Sequence, residues 1–117
     1  MSNRVRLFIR QRIVERYALV QGLNSALRAA LGARLRGVVL YGSEARGNAR
    51  RDSDIDLLVL LDGLPQDPQD SWACINALYP LVLELERPIH AEPVDAAEYE
   101  AAEYPLYQIA RREGIRA

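Results

Sequence analysis

Residues 4–31 carry apolar side chains at the three- and four-residue spacing of an α-helix. Asn3 is suited to cap the start of this helix, and Gly32 is suited to end it. Gly22 and the polar pair that follows Leu23 interrupt the pattern, so we expect a kink or a break between residues 22 and 25. The apolar stripe consists of Val5, Phe8, Ile9, Ile13, Tyr17, Val20, Leu23, Leu27 and Leu31.

Three later runs predict β-strands. Residues 37–41 and 55–61 are short, apolar and rich in β-branched or aliphatic side chains, which is typical of buried strands. A third run, RPIHAEPV at residues 87–94, is predicted to be an edge strand because its two prolines cannot donate to a hydrogen-bond ladder inside a sheet.

Helical patterns fill most of the remaining chain. One helix is predicted to start at Asp70 or Ser71, and Pro80 inside it should kink or split it. Asp95 can cap a short acidic helix over residues 96–104, and Pro105 opens a last helix that ends at Gly114. The order of elements predicts an α+β or small α/β domain with a small mixed sheet of about three strands flanked by helices.

Composition places the chain among ordinary globular proteins. It has 117 residues, of which 50% are hydrophobic and 26% charged, and this predicts a single domain over residues 1–117. No apolar run approaches the length that crosses a bilayer, and arginines interrupt the amino-terminal segment, so we expect a cytoplasmic protein. The lone cysteine, Cys74, lies in an apolar helical pattern and is predicted to be a packing residue.

The charges are distributed unevenly although they nearly cancel. Residues 1–51 hold eleven arginines and two acidic residues, a balance of +9, whereas residues 52–117 hold four arginines and fourteen acidic residues, a balance of −10. Every basic residue is an arginine, the side chain suited to bidentate phosphate and carboxylate contacts. A nucleic-acid face, a phosphate site or pairing between the halves would each fit. Nucleic-acid binding is the weakest because aromatic and basic residues are not interleaved near the arginine-rich loop.

The segment GSEARGNARRDSDID, residues 42–56, combines groups suited to polyphosphate chemistry. Asp54 and Asp56 are two apart on a predicted strand and therefore point to the same face, where a divalent cation such as Mg²⁺ would relieve their repulsion. Gly42 lets the backbone approach a ligand closely, and Ser43 adds a hydroxyl for a phosphate. Arg46, Arg50 and Arg51 lie between the two groups. Ion pairing between the aspartates and these arginines is the structural alternative.

The spacing in this segment resembles a known signature. Gly42-Ser43, ten residues 44–53 and Asp54-Ile55-Asp56 together are similar to the motif of the nucleotidyltransferase superfamily typified by DNA polymerase beta. The additional matches at Ala45, Arg46, Gly47, Ala49, Arg50, Ser53 and Leu57 resemble the minimal nucleotidyltransferase (MNT) domains of prokaryotes. The resemblance implies the nucleotidyltransferase fold with a core over about residues 23–95, nucleotide phosphates on Gly42 and Ser43, and Mg²⁺ on Asp54 and Asp56. Arg46 and Arg50 are predicted to contact phosphate, and the alternative is that they form ion pairs with the acidic second half of the chain.

The chain departs from that family pattern on the third strand. The family carries a third carboxylate there, which commonly acts as the base for the attacking hydroxyl. In this sequence His90 stands at the matching position, and Glu92 follows on the same face. Three possibilities stay open: Glu92 reaches the site, His90 replaces the carboxylate, or the third group is missing.

The resemblance also implies a function and a partner. MNT proteins typically pair with HEPN-domain ribonuclease toxins, and in several pairs they neutralise the toxin by adenylylating a tyrosine. We therefore predict a Mg²⁺-dependent nucleotidyltransferase that moves AMP from ATP to a hydroxyl of a HEPN-domain partner, with homo- or hetero-oligomers possible. The alternative is an antitoxin or regulatory subunit that binds nucleotide or partner with impaired or no catalysis.

Overall fold

The computed structural model describes the backbone of residues 3–50 and 52–117 and the side chains of residues 14–50 and 52–117. Arg51 and the predicted apolar stripe before residue 14 therefore lie outside the described side chains. Within the described part of the chain, no helix is long and apolar enough to cross a membrane.

The first helix, α1, is continuous from Asn3 to Leu31, so the predicted break between residues 22 and 25 is wrong. Leu23 lies within the expected break, Val20 and Leu27 lie on either side of it, and all three are fully buried. Their packing holds the helix together across Gly22, whose helix propensity is about 1 kcal/mol below that of alanine. The helix ends at Leu31, and Gly32 follows it with a left-handed φ of +60°, in agreement with the predicted stop.

The remaining elements follow in the predicted order, with a 3₁₀ turn, one added helix and one added strand. A 3₁₀ turn at Gly32–Arg34 leads into β1 (Leu35–Tyr41), and a one-turn helix, α2 (Gly42–Arg46), replaces the loop expected after it. Strand β2 (Ile55–Leu61) has the predicted bounds, and α3 (Gln69–Leu85) starts within two residues of the expected position. Then come β3 (Ile89–Asp95), α4 (Ala96–Glu100), α5 (Pro105–Glu113) and β4 (Ile115–Arg116), the added strand.

Helix α3 runs through Pro80 as one helix, so the expectation that this proline splits it is wrong. Proline removes one backbone donor, but Cys74 and Leu78 on the preceding turns are buried in the same core as α1. Burial also raises the pKa of the Cys74 thiol to about 11, which agrees with a packing residue.

Helix α4 is shorter than predicted. Asp95 caps it as expected, because its side chain accepts a hydrogen bond from the backbone N–H of Ala97. The helix ends at Glu100, however, and Ala102 takes a left-handed φ of +51° before Pro105 opens α5. The acidic segment is therefore a helical turn followed by a tight turn.

The four strands form one mixed sheet in the order β3-β2-β1-β4. Strand β1 is antiparallel to β2 and to β4, whereas β2 and β3 run parallel. Strand β3 lies at an edge, as its prolines predict. The α+β class and the small mixed sheet are confirmed, with four strands where the sequence indicated about three.

The sheet has two differently covered faces. On the α1–α3 face, Ile55, Leu57, Val59 and Leu61 of β2 are fully buried under α1 and α3. On the α4–α5 face, Leu58 and Leu60 of β2 are buried against Tyr99, Tyr107 and Ala110 of α4 and α5. Asp56 belongs to the α4–α5 face by strand alternation, and it is partly exposed at the end where β2 begins.

Candidate functional site

The turn after β1 brings the backbone against the second aspartate of the Asp-x-Asp pair. Gly42 has φ +74°, and a Cβ atom there would lie 2.6 Å from Oδ2 of Asp56. Any larger residue would displace this carboxylate or the turn and would also strain the backbone. Gly42 is thus required for the close approach of the Gly-Ser turn to Asp56.

Strand register shows which residues share the α4–α5 face beside Asp56. Tyr41 of β1 and His90 of β3 are the Cα partners of Asp56 on either side. One row further along the sheet, Leu58 pairs with Val39 and Glu92. Two residues along a strand correspond to about 6.6 Å, so Glu92 lies one row further than His90 from the end of the sheet where β2 begins, and both are exposed.

His90 also reaches the first aspartate of the pair. Its Nε2 lies 2.8 Å from Oδ2 of Asp54, and both side chains are open to solvent, with 64% and 51% of their surface exposed. When Nε2 carries the proton, it donates to Asp54, and Nδ1 remains as an acceptor. His90 therefore neighbours both aspartates.

Glu92 faces the same region from the next row of the sheet, beside Leu58. Burial raises the pKa of the Tyr41 hydroxyl, and the neighbouring carboxylates of Asp56 and Glu92 raise it further. Tyr41 therefore stands close enough to both carboxylates to respond to their charge. The structure brings Tyr41, Asp56, His90 and Glu92 onto one patch of the α4–α5 face.

The two arginines predicted to contact phosphate have structural neighbours of their own. Arg46 Nη1 lies 3.6 Å from Oε2 of Glu113 on α5, and both side chains are partly exposed. The backbone N–H of Arg50 donates to Ser53 Oγ, and its side chain lines a cavity of about 480 Å³. That cavity is lined by α1, the 44–50 segment and the α3–β3 connection, and not by Gly42, Ser43, Asp54 or Asp56. Phosphate contacts by these arginines stay a prediction.

The carboxylates of Asp54 and Asp56 suit a Mg²⁺ ion that is shared with substrate phosphates. Among the residues that the structure describes, no three carboxylate, imidazole or thiol groups converge as a ready metal cage. Mg²⁺ usually keeps several waters and takes one or two carboxylates together with substrate phosphates. Asp54 and Asp56, with the Gly42-Ser43 turn packed on Asp56, offer that kind of open site.

Two residues that brace the site were missed by the sequence analysis. Arg87, just before β3, donates from Nη2 to Glu44 Oε2 and from Nε to the backbone carbonyl of Ser53, each at 2.8 Å. Glu44 lies inside the motif, but its position gives no signal of a buried ion pair. Arg87 lies 43 positions away, and its charge resembles that of any surface arginine.

Comparisons with known proteins identify the family of this chain and its fold. The family model described as nucleotidyltransferase domain matches residues 22–112. A crystal structure of a toxin-antitoxin with AMP-PNP is 24% identical, with a TM-score of 0.58 over 79% of this chain and 66% of that one. A crystal structure of a mutant toxin-antitoxin MntA-HpeT is 20% identical, with a TM-score of 0.58 over 82% of this chain and 69% of that one. No curated protein matches the chain.

The comparisons confirm the predicted family and fold. The chain spans about two thirds of the length of each structural neighbour. The matched region contains the Gly42-Ser43 turn, the Asp54–Asp56 pair and all of β3.

Proposed function

Because the chain belongs to the nucleotidyltransferase domain family, we propose that it transfers AMP from ATP to a hydroxyl group of a partner protein in the cytoplasm. The observation that carries this proposal is the packing of the Gly42-Ser43 turn on Asp56, with His90 beside both aspartates. This arrangement puts the Gly42-Ser43 turn in contact with Asp56, which supports a combined site for phosphate and metal.

Each residue then has a chemical task. The turn at Gly42 and the hydroxyl of Ser43 bind the phosphates of ATP, and Asp54 and Asp56 hold Mg²⁺. Bound there, Mg²⁺ would neutralise part of the charge on the phosphates. Arg46 and Arg50 are proposed to add phosphate contacts when nucleotide is bound.

The transfer itself needs a base for the acceptor. The acceptor oxygen forms a bond to the α-phosphorus while the bond from that phosphorus to the bridging oxygen of pyrophosphate breaks, and pyrophosphate leaves. The hydroxyl proton must move to a nearby acceptor. We assign this task to Nδ1 of His90, because Nε2 faces Asp54. Glu92 is the second candidate because it lies one row further along the sheet from Asp56.

The proposed acceptor is a protein. The Asp54–His90 pair is open to solvent rather than enclosed, which suits an acceptor that brings its own surface. Both structural neighbours are described as toxin-antitoxin structures, and the MNT resemblance points to a HEPN-domain toxin as the partner. We propose that this chain is the antitoxin of such a pair.

The direct test is transfer of label from α-labelled ATP. The protein is incubated with Mg²⁺ and with the product of the adjacent gene, beside the Asp54→Asn/Asp56→Asn variant. The proposal predicts label on the adjacent protein with the wild type and none with the variant. Equal labelling by both would refute the assignment.

A second candidate function keeps the fold without the chemistry. His90 stands where the family has a carboxylate, so an antitoxin that only binds its partner or a nucleotide is also consistent with the site. This candidate predicts that Asp54→Asn/Asp56→Asn still binds and neutralises the partner. Retained binding with lost neutralisation would exclude it and favour the transferase.

A further inference from the structure

The segment between β1 and β2 contains the Gly42-Ser43 turn and Asp54. In its described residues, few hydrogen bonds within the segment stabilise it. Helix α2 is one turn long, and no strand lies between Arg46 and Ile55 in the described part of the segment. The backbone bonds within the segment are short-range: Gly47 N–H to Glu44, Asn48 N–H to Ser43, and Ser53 N–H to Arg50. Such a segment needs an anchor from elsewhere in the fold to keep one arrangement.

Arg87 provides contacts to both ends of this segment. Its Nη2 donates to Glu44, on the turn that follows Ser43, and its Nε donates to the carbonyl of Ser53, which directly precedes Asp54. The two side chains of the ion pair are largely buried, at 14% exposure for Arg87 and 15% for Glu44. Charge-assisted hydrogen bonds of this kind are stronger and more directional than exposed ion pairs.

The fold holds Arg87 next to the start of β2. It lies between α3 and β3, and the next residue, Pro88, accepts the backbone hydrogen bond of Ile55 at the start of β2. Arg87 is therefore fixed to the same sheet edge that carries His90. One guanidinium joins the Gly-Ser turn, the Asp-x-Asp strand and the third strand.

We infer that Arg87 is a positioning residue that holds the Gly42-Ser43 turn and Asp54 in the arrangement that binds the nucleotide. The inference rests on the proposed function for its consequence, nucleotide affinity, but not for its structural part. Arginine is needed because its planar fork donates in two directions at once, whereas lysine places a single charge at the end of its chain.

The experiment compares Arg87→Ala with Arg34→Ala. Arg34 makes a bidentate ion pair with the buried Asp70, and its carbonyl accepts from Asp62 N–H at the end of β2 opposite to Asp54. It is thus a matched pair far from the site. Amide hydrogen exchange is measured at Gly47, Asn48, Ser53 and Ile55, together with the affinity for Mg²⁺ and AMP-PNP.

Arg87→Ala should speed exchange at these amides at least about tenfold and weaken AMP-PNP binding by a similar factor. Arg34→Ala should lower global stability and leave both readouts near wild type. Arg87→Lys and Glu44→Gln, which keep side-chain size, should give intermediate exchange rates.

Hydrogen exchange tests the positioning role of Arg87, and AMP-PNP binding by the wild type tests the proposed function. Unchanged exchange in Arg87→Ala, or an equal change in Arg34→Ala, overturns the positioning role whether or not the protein binds nucleotide. If the wild type fails to bind AMP-PNP, the proposed function falls, and the exchange rates still decide whether Arg87 anchors the segment. If Arg87→Ala does not fold, the Arg87→Lys and Glu44→Gln exchange rates make the same decision.

Discussion

The two faces of the sheet use the same strands for different purposes. On the α1–α3 face, β2 presents four aliphatic side chains that are fully buried, and β1 continues the same layer with Val38 and Leu40. On the α4–α5 face, burial stops at Leu58, and the row beyond it carries Tyr41, Asp56 and His90. Because α4 and α5 leave this end of the sheet uncovered, carboxylates remain hydrated there and avoid the cost of burial.

This difference explains the unusual position of Asp54 and Asp56 beside strand-forming residues. The apolar residues of β2 hold the strand in place through the α1–α3 face, and the polar residues at its start use the other face. Residues that stabilise the fold and residues proposed for the chemistry are therefore neighbours in the chain, but they lie on opposite faces of the sheet. Single substitutions on either face test whether stability and chemistry depend on different residues.

The largest effects are expected from two adjacent residues on opposite faces. Leu57→Ala should lower the free energy of unfolding by about 2–5 kcal/mol, because Leu57 is fully buried. Asp56→Ala should change it by less than about 1 kcal/mol but reduce AMP transfer at least about 100-fold. Urea unfolding and the labelling assay measure the two quantities. A large stability loss from Asp56→Ala would show that the faces are not separated.

The third strand gives the next largest effect. His90→Ala should slow transfer about 100-fold, as expected for loss of a general base, and leave unfolding nearly unchanged because the side chain is exposed. Glu92→Gln should slow transfer by no more than about threefold, since Glu92 lies one row further along the sheet from Asp56 than His90 does. The ratio of the two rates is the measurement. A reversed ratio would assign the base to Glu92.

Gly42 tests the contact between the turn and Asp56. Gly42→Ala should weaken binding of Mg²⁺ and AMP-PNP about tenfold, because its Cβ would lie 2.6 Å from Asp56 Oδ2 and displace that carboxylate. Gly63→Ala is the matched control: Gly63 also has a positive φ, +91°, but nothing lies within 4 Å of its added Cβ. Both variants carry backbone strain of about 1–2 kcal/mol, so equal loss of binding would attribute the effect to strain alone.

The smallest effect concerns acid stability at the end of β2 away from the site. Hydrogen bonding from Arg34 lowers the pKa of the buried Asp70. A carboxyl whose pKa is lower in the folded state stabilises the fold above its unfolded pKa, and that stabilisation is lost as the pH falls through the folded value. Asp70→Asn should therefore flatten the fall in stability below about pH 4.

The control for this prediction is Asp62→Asn, which removes an exposed ion pair with Arg36. Urea midpoints measured across the acid range should follow the wild type in this variant. Nucleotide binding at neutral pH should be unaffected by Asp62→Asn. If Asp70→Asn leaves the acid profile of the wild type unchanged, the ion pair does not stabilise the fold.

Local patterns in the sequence predicted much of this molecule. The aliphatic run of β2, the cap at Asp95 and the Pro105–Gly114 limits of the last helix each depend on residues next to one another, and the structure has them where expected. The break in α1 was predicted wrongly because burial of Val20 and Leu23 overrides the local signal of Gly22. Strand β4 escaped prediction because its two residues form a strand only by pairing with β1.

The site was predictable up to the point where distant segments meet. The spacing of Gly42-Ser43 and Asp54–Asp56 indicated the carboxylate pair and the turn, because both lie in one short segment. The relative places of His90 and Glu92 depend on the parallel register of β2 and β3, which no local pattern encodes. The same holds for Arg87 and Glu44, whose pairing depends on the packing of the α3–β3 connection against α2.

The open end of the α4–α5 face is proposed to bind a nucleotide through Asp54 and Asp56. The most direct test is calorimetric titration of AMP-PNP into the wild type and into Asp54→Asn/Asp56→Asn, each with Mg²⁺ and with a chelator. The wild type should bind AMP-PNP only in the presence of Mg²⁺, and the variant should bind it at least about 100-fold more weakly. Equal affinity of the two proteins, or binding by the wild type that is indifferent to Mg²⁺, would contradict it.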